Sequence, residues 1–249
     1  MKKLIIFDLD GTLAESKSKM DPEMSRLVCE LLMKKDVAVI SGGAYKQFQN
    51  QFLESLSCPQ DKLVRLHLFP TCSTTYYKFS EGAWECVYKE FLSEGERAKI
   101  TSALNVALPL GGYVKPDKIF GDLIEDRETQ ISFSALGQLA PGELKKVWDP
   151  NHSKRLKIKK FLDSLLPNFE IRIGGATTID ITRKGIDKAH GIRQMEKLLG
   201  FSKNEMLFIG DAIFPGGNDY PVKEIGIDCI AVGGPQQTKV EIRRIISEK

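Results

Sequence analysis

The chain has 249 residues, 42% hydrophobic and 28% charged, with a formal net charge of +3 at pH 7. That length allows one or two domains with a real core, and the composition is that of a soluble globular protein. The basic excess is small and no Lys/Arg cluster alternates with aromatics, so no nucleic-acid partner is expected. The opening Met1-Lys2-Lys3-Leu4-Ile5-Ile6-Phe7 starts like a signal peptide, but its apolar run is too short and Asp8 and Asp10 interrupt it. No stretch approaches the ~18 apolar residues of a membrane span, so a cytoplasmic protein with no membrane partner is expected. Cys29, Cys58, Cys72, Cys86 and Cys229 lie scattered without a CxxC pair and are expected to be reduced thiols. His67, His152 and His190 lack metal-ligand spacing.

Leu4 to Phe7 predicts a short buried strand running into the turn Asp8-Leu9-Asp10-Gly11-Thr12. Asp21 and Pro22 predict a helix start, and Met24, Leu27, Val28, Leu31 and Leu32 follow at helical spacing. Val37 to Ile40 predicts a second buried strand ending in Ser41-Gly42-Gly43, with a helix beyond it through Phe48, Phe52 and Leu56. This β-α-β-α order predicts a Rossmann-like parallel sheet with helices on its faces. Between about residues 79 and 183 the pattern changes. Helices are predicted near Glu94 to Leu104 and His152 to Leu165. The alternating runs Ile131 to Ser134, Glu170 to Ile173 and Thr178 to Ile181 predict an antiparallel sheet covered on one face. The first pattern then returns as helix Ile186 to Leu199, strands Met206 to Ile209 and Asp228 to Val232, and helix Val240 to Ile246. The expected organisation is an α/β core of residues 1–78 and 184–249, interrupted by an inserted α+β domain of residues 79–183.

Four short patterns carry chemistry. Asp8 and Asp10 stand at the carboxyl end of a predicted strand, where open α/β sheets bind ligands. Two carboxylates so close need a cation or proton between them, and Mg²⁺ is the usual hard ion for oxygen donors. Gly11 allows a tight turn whose following amides can face a phosphate. Gly210-Asp211, continuing to Asn218-Asp219, places a second acidic cluster after another strand, beside Asp8 and Asp10 if the sheet is parallel. Ser41, Gly42 and Gly43 offer a hydroxyl and amides at a helix start, an anion site in kind. Lys188 sits at a helix start, against the helix dipole, which an anion nearby would offset. Taken singly, each pattern also reads blandly: a capped turn, a loop of turn formers, a Ser/Gly helix cap, a solvated lysine.

Together, Asp8-x-Asp10-Gly11-Thr12, Ser41-Gly42, Lys188 and Gly210-Asp211…Asn218-Asp219 resemble the four motifs of the haloacid dehalogenase (HAD) superfamily. An insert between the second and third motifs resembles the type C2 cap of subfamily IIB. Within that subfamily the chain is most similar to eukaryotic-type phosphomannomutases. Gly210-Asp211-Ala212-Ile213-Phe214-Pro215-Gly216-Gly217-Asn218-Asp219 resembles that family's fourth motif. Gly174-Gly175-Ala176-Thr177-Thr178-Ile179-Asp180 resembles its Gly-Gly-x-x-Ser-x-Asp cap segment. Arg127 falls where the family has a substrate-binding arginine. Two further cap arginines of the family align with Gln138 and Phe120, and its Pro-Glu-Asn-Gly aligns around Phe69-Pro70-Thr71-Cys72-Ser73.

The resemblance implies that Asp8 attacks phosphorus to form an aspartyl-phosphate, while Asp10 protonates the leaving oxygen and later activates the acceptor. It implies Mg²⁺ held by Asp8, Asp10 (through its backbone carbonyl) and Asp211, with Asn218 and Asp219 in support. Ser41, Gly42 and Lys188 would bind the transferring phosphoryl group, and the cap would add Arg127, Thr178 and Asp180. A homodimer through the cap is also implied. Glutamine does not replace an arginine fork as a phosphate binder, so a Mg²⁺-dependent phosphatase of phosphorylated sugars or similar small metabolites is the expected function. A phosphomannomutase-like phosphosugar mutase is the alternative. A non-enzymatic phospho-acceptor module is a third reading, against which the inserted domain and Asp10 both argue.

Overall fold

A computed structural model describes residues 1–248. In chain order the strands are β1 Leu4–Asp8, β2 Asp36–Ile40, β3 Leu66–Phe69, β4 Thr75–Ser80, β5 Ala83–Lys89, β6 Ile124–Asp126, β7 Ile131–Ser134, β8 Phe169–Gly174, β9 Thr178–Arg183, β10 Met206–Gly210 and β11 Asp228–Ala231. They form a seven-stranded sheet, ordered β11-β10-β1-β2-β3-β4-β5, and a four-stranded sheet, ordered β6-β7-β9-β8. The chain divides into two compact units, Met1–Lys89 with Asp187–Lys249, and Glu90–Ile186.

In the first unit β11, β10, β1, β2 and β3 pair in parallel, and β4 and β5 extend the edge as an antiparallel hairpin. That hairpin pairs with β3, so residues 79–89 fall with the first unit and not with the insert, whereas residues 184–186 stay with the insert. Strand alternation sorts the core: Ile5 and Phe7 point to one face, Leu4 and Ile6 to the other. Helices Pro22–Leu32, Tyr45–Gln51 and Pro235–Ser247 cover the first face through Met24, Leu27, Val28, Leu31, Phe48, Ile242 and Ile245. Helix Lys188–Leu199 covers the other through Ile192 and Met195. Asp21 caps the first helix, its carboxylate accepting the Glu23 and Met24 amides at 3.0 Å each. From β1 the chain crosses to β2 on one side while β10 pairs on the other. Crevices form at such switch points, just beyond the strands' carboxyl ends.

One expectation fails in this unit: Cys29 and Cys58 are bridged by a disulfide. Cys29 lies in helix Pro22–Leu32, and the 3₁₀ turn Leu53–Ser55 returns the chain so that Cys58 comes within a Cα–Cα distance of 5.4 Å. Their separation of 29 residues hides this proximity from spacing rules built for CxxC pairs. Cys86 and Cys229 are free thiols.

In the second unit one face of the antiparallel sheet is apolar. Ile131, Phe133, Ile171, Ile179 and Ile181 pack on helices Glu94–Leu110 and Ser153–Leu165 through Ile100, Leu104, Ile158 and Leu162. The longer helix begins with a capping box between Ser93 and Glu96. The opposite face is polar: Glu125, Ser132, Asp180 and Arg172 stand directly across from one another on the four strands. Arg155 is fully buried. Its Nε donates to Asp149 at 2.8 Å, and its Nη1 donates to the carbonyls of Gly174 and Gly175 at 3.0 and 2.7 Å. This arginine therefore fixes the glycine turn between β8 and β9.

Burial works to raise the Asp149 pKa, but hydrogen bonds from the Arg155 side chain and from the Lys154 and Arg155 amides outweigh it and hold it below its ordinary value. A depressed carboxylate contributes stability that is present above its unfolded pKa of about 3.9 and lost as pH falls through the folded value. Arg155→Met should therefore destabilise this unit by about 3 kcal/mol at neutral pH, the scale of breaking a buried ion pair. Melting curves should show the gap between variant and wild type narrowing below about pH 4. A pH-independent gap would mean that packing, not the pair, is what the variant loses.

Candidate active site

The parallel register places Asp8 beside Ile40 and Phe7 beside Ile209, so the turns after β1, β2 and β10 open together. Asp8 is buried at the end of β1. Lys188, at the first turn of helix Lys188–Leu199 and also buried, makes short ion pairs with Asp8 Oδ1 and Asp219 Oδ1. Asp219 Oδ2 accepts the Ala212 amide at 3.0 Å, which folds the loop after β10 back on itself. Two glycines make the close approach possible. A methyl group on Gly11, at φ +83°, would fall 2.3 Å from the Asp211 carboxylate, and one on Gly210 would fall 2.3 Å from Asp219 Oδ2. The Thr12 hydroxyl stands 3.5 Å from Asp8 Oδ2.

The electrostatics follow from this crowding. Burial pushes the Asp8 pKa well above its ordinary value; the Lys188 charge opposes that, and the Asp219 and Asp211 charges add to it. Burial acts to lower the Lys188 pKa, but the charges of Asp219 and Asp8 overcome it and raise the value, so the ammonium stays protonated. Burial, then the Asp219 charge, raise Asp211 to about 6. Carboxylate oxygens of Asp8, Asp211 and Asp219 lie within 4.8 Å of one another. Three carboxyl groups thus share one ammonium.

Asp219 and Asp10 are held in different ways. Asp219, expected only in support, has its carboxylate in the cluster itself. The Asp10 carboxylate lies outside it, held by glutamines on helix Tyr45–Gln51. Gln47 Nε2 donates to Oδ2 at 2.7 Å and Gln51 Nε2 to Oδ1 at 3.0 Å, while the Lys17 amide donates to Oδ1 at 2.7 Å. Gln47 and Gln51 escaped sequence reasoning because a polar residue in a short amphipathic helix looks like its solvated face. Their spacing of one helical turn is the signal that could have found them. Asn218 is half-buried on the glycine-rich turn.

Ser41 is buried, and its hydroxyl accepts the Gly43 amide at 3.2 Å. The Ser41 and Gly43 carbonyls accept the amides of Cys72 and Thr71, both at 2.9 Å. Thr71, Cys72 and Ser73 all adopt left-handed backbone, at φ 50°, 55° and 69°. The turn after β3 therefore braces the Ser41–Gly43 loop from a strained conformation.

In the second unit Arg127 lies against Glu125 at 2.6 Å, with Asp180 at 3.9 Å. Asp180 Oδ1 accepts from Gln130 at 2.9 Å and from Ser132 at 2.5 Å. The Thr178 hydroxyl is 3.4 Å from that of Ser134. Gln138, in the amide orientation its neighbours require, donates to both Glu125 oxygens at 3.1 and 3.2 Å. The three expected cap residues thus share one polar sheet face, and two carboxylates flank its arginine.

A parallel sheet with a carboxylate cluster and a buried lysine at its switch point, plus an inserted α+β unit, defines a HAD-type phosphoryl-transfer enzyme. The family profile "Eukaryotic phosphomannomutase" matches residues 24–248, and the chain belongs to that family. A probable phosphomannomutase of Caenorhabditis elegans is 25% identical over 266 residues, covering 99% of this chain and 96% of the relative. A phosphomannomutase of Encephalitozoon cuniculi is 26% identical, covering 95% and 91%. In fold the chain is similar to an IMP-nucleotidase of Plasmodium falciparum, at TM-score 0.74 and 19% identity over 99% of this chain and 70% of that one. It is also similar to a haloacid dehalogenase-like hydrolase of Bacteroides thetaiotaomicron, at TM-score 0.62 and 15% identity over 98% and 100%.

The strained turn yields a stability prediction. Asparagine tolerates left-handed backbone better than cysteine and glycine better than serine. Cys72→Asn combined with Ser73→Gly should raise stability by about 1 kcal/mol, read from denaturant midpoints. A loss of stability would show that these residues do not hold a left-handed path.

Proposed function

We propose that this chain is a Mg²⁺-dependent phosphosugar enzyme of phosphomannomutase type, acting in the cytoplasm, with Asp8 as nucleophile. The observation that carries this reading is the buried Lys188 pairing with Asp8 and Asp219 beside Asp211. The donor set fits a hard divalent cation: three carboxyl groups and no soft ligand. Asp8, Asp211 and the backbone carbonyl of Asp10 would hold the ion. Asp219 has both oxygens engaged, by Lys188 and the Ala212 amide, and would orient the lysine. When bound, Mg²⁺ supplies neutralising charge that lets a carboxylate approach a phosphate.

The protein's own groups do the rest. An Asp8 oxygen forms a bond to phosphorus as the bond to the leaving oxygen breaks, and Asp10 delivers a proton to that oxygen. Lys188, with Ser41 and Gly42, neutralises charge on the transferring group. In the second half an acceptor hydroxyl gives its proton to Asp10 and takes the phosphoryl group from Asp8. The relatives named phosphomannomutases favour a second sugar phosphate as acceptor, with the cap face of Arg127, Thr178 and Asp180 binding the sugar. A homodimer through the cap belongs to the same reading.

Hydrolysis is a second reading, favoured by particular residues. Arg127 is engaged by Glu125, and Gln138 and Phe120 stand where the family resemblance places arginines. Mannose 1-phosphate, given with and without a hexose bisphosphate, separates the two: mannose 6-phosphate marks the mutase, free phosphate alone the phosphatase. Asp8→Asn should reduce either activity by at least about 10³-fold, the scale of losing a covalent nucleophile. Activity that survives the substitution would sink the proposal.

Metal binding gives an independent measurement. An ion that binds only the folded state stabilises it by about 2.7 kcal/mol at a hundredfold excess over Kd. Added Mg²⁺ should raise the melting temperature of the wild type but leave that of Asp211→Asn unchanged.

A further inference from the structure

The two aspartates of the Asp8-x-Asp10 turn are held by different chemistry. Asp8 pairs with the Lys188 ammonium, whereas Asp10 is held by neutral amides. We propose that Gln47 and Gln51 are positioning residues that fix the Asp10 carboxylate for proton transfer, and that Gly43 leaves the space Gln47 needs to reach it. This deepens the function proposed above and rests on Asp10 acting as its acid and base.

The geometry is that of a two-armed clamp. Gln47 Nε2 donates to Asp10 Oδ2 at 2.7 Å and also to Gln51 Oε1 at 3.0 Å, so the first glutamine orients the second. Gln51 Nε2 donates to Asp10 Oδ1 at 3.0 Å and lies 3.4 Å from the Glu15 carbonyl. Gln51 is itself buried. Its backbone carbonyl accepts the Met20 amide at 2.8 Å, tying the end of the helix to the segment after the Asp10 turn. Donors to both oxygens leave the carboxylate no free rotation about its χ2. Side-chain amides do this without charge, so they orient the group without fixing a counter-ion on it.

Gly43 belongs to the same device. A methyl group built on it would fall 2.4 Å from Gln47 Oε1 and 2.6 Å from the carbon that bears it. Gly43 has no left-handed backbone to explain its choice. Its lack of a side chain is accounted for by the Gln47 amide passing over it.

Proton delivery matters most when the leaving oxygen is a poor leaving group, and general acid catalysis contributes about 10²–10⁴-fold. The test is a comparison across phosphate monoesters of graded leaving-group acidity, from alkyl phosphates such as mannose 1-phosphate to p-nitrophenyl phosphate. Gln47→Leu should lower kcat on the alkyl esters by about 10- to 100-fold, with KM within about twofold, and on p-nitrophenyl phosphate by less than about threefold. Gly43→Ala should reproduce that pattern. Retention of the Mg²⁺-induced rise in melting temperature controls for a disrupted site. Equal losses on all esters, a loss confined to KM, or no loss would each overturn the positioning role while leaving the function intact. Turnover that survives Asp8→Asn would remove the function and this inference with it.

Discussion

The ion pairs of Lys188 with Asp8 and Asp219 are the constraint around which this candidate site is built. Bringing charges out of water costs several kcal/mol each, and the cost is recovered only when every partner is in place. Asp8 ends β1, Asp219 closes the loop after β10, and Lys188 begins a helix that follows the insert, 180 residues after Asp8. The lysine therefore seats only when the two parts of the first unit have joined across the whole insert. Loop closure of that length is entropically tolerable because its cost grows only logarithmically. The placement also explains a feature that helix electrostatics disfavours: a cation in the first turn is acceptable when two carboxylates face it.

The fold was legible because its signals are redundant. Strands β1, β2 and β10 are apolar runs ending in Asp, Ser-Gly or Gly-Asp, and the insert switches to alternation at Ile131 and Thr178. The hairpin β4–β5 was harder to see. Its residues Trp84, Glu85, Cys86 and Val87 lie at an exposed or half-exposed sheet edge, where no buried face imposes a pattern. The Cys29–Cys58 bridge was invisible for a different reason. It depends on where the 3₁₀ turn sends the chain, which the spacing of 29 residues does not encode.

In the site, charged residues were readable and neutral ones were not. An aspartate after a buried strand demands explanation, and so Asp8, Asp10 and Asp211 stood out. A glutamine on a helix demands none, so the two that hold Asp10 passed as surface. Spacing also could not say which acidic group of the Asp211–Asp219 loop turns inward. The answer depends on Gly210, whose missing side chain leaves room for the Asp219 carboxylate.

In the proposed mechanism either water or a sugar hydroxyl could take the phosphoryl group, because both would use the same nucleophile and the same acid. In that proposal the choice falls to the polar face carrying Arg127, Thr178 and Asp180. There Glu125 engages Arg127 and also accepts from Gln138. An arginine at position 138 would offer that carboxylate a second cation and release part of Arg127 for a phosphate. Glutamine offers only neutral donors, so the positive charge on this face stays largely spent on its own carboxylates. A face with that balance holds hydroxyl groups more readily than a second phosphate dianion. A mutase working with it would draw its grip on a distal phosphate from other residues.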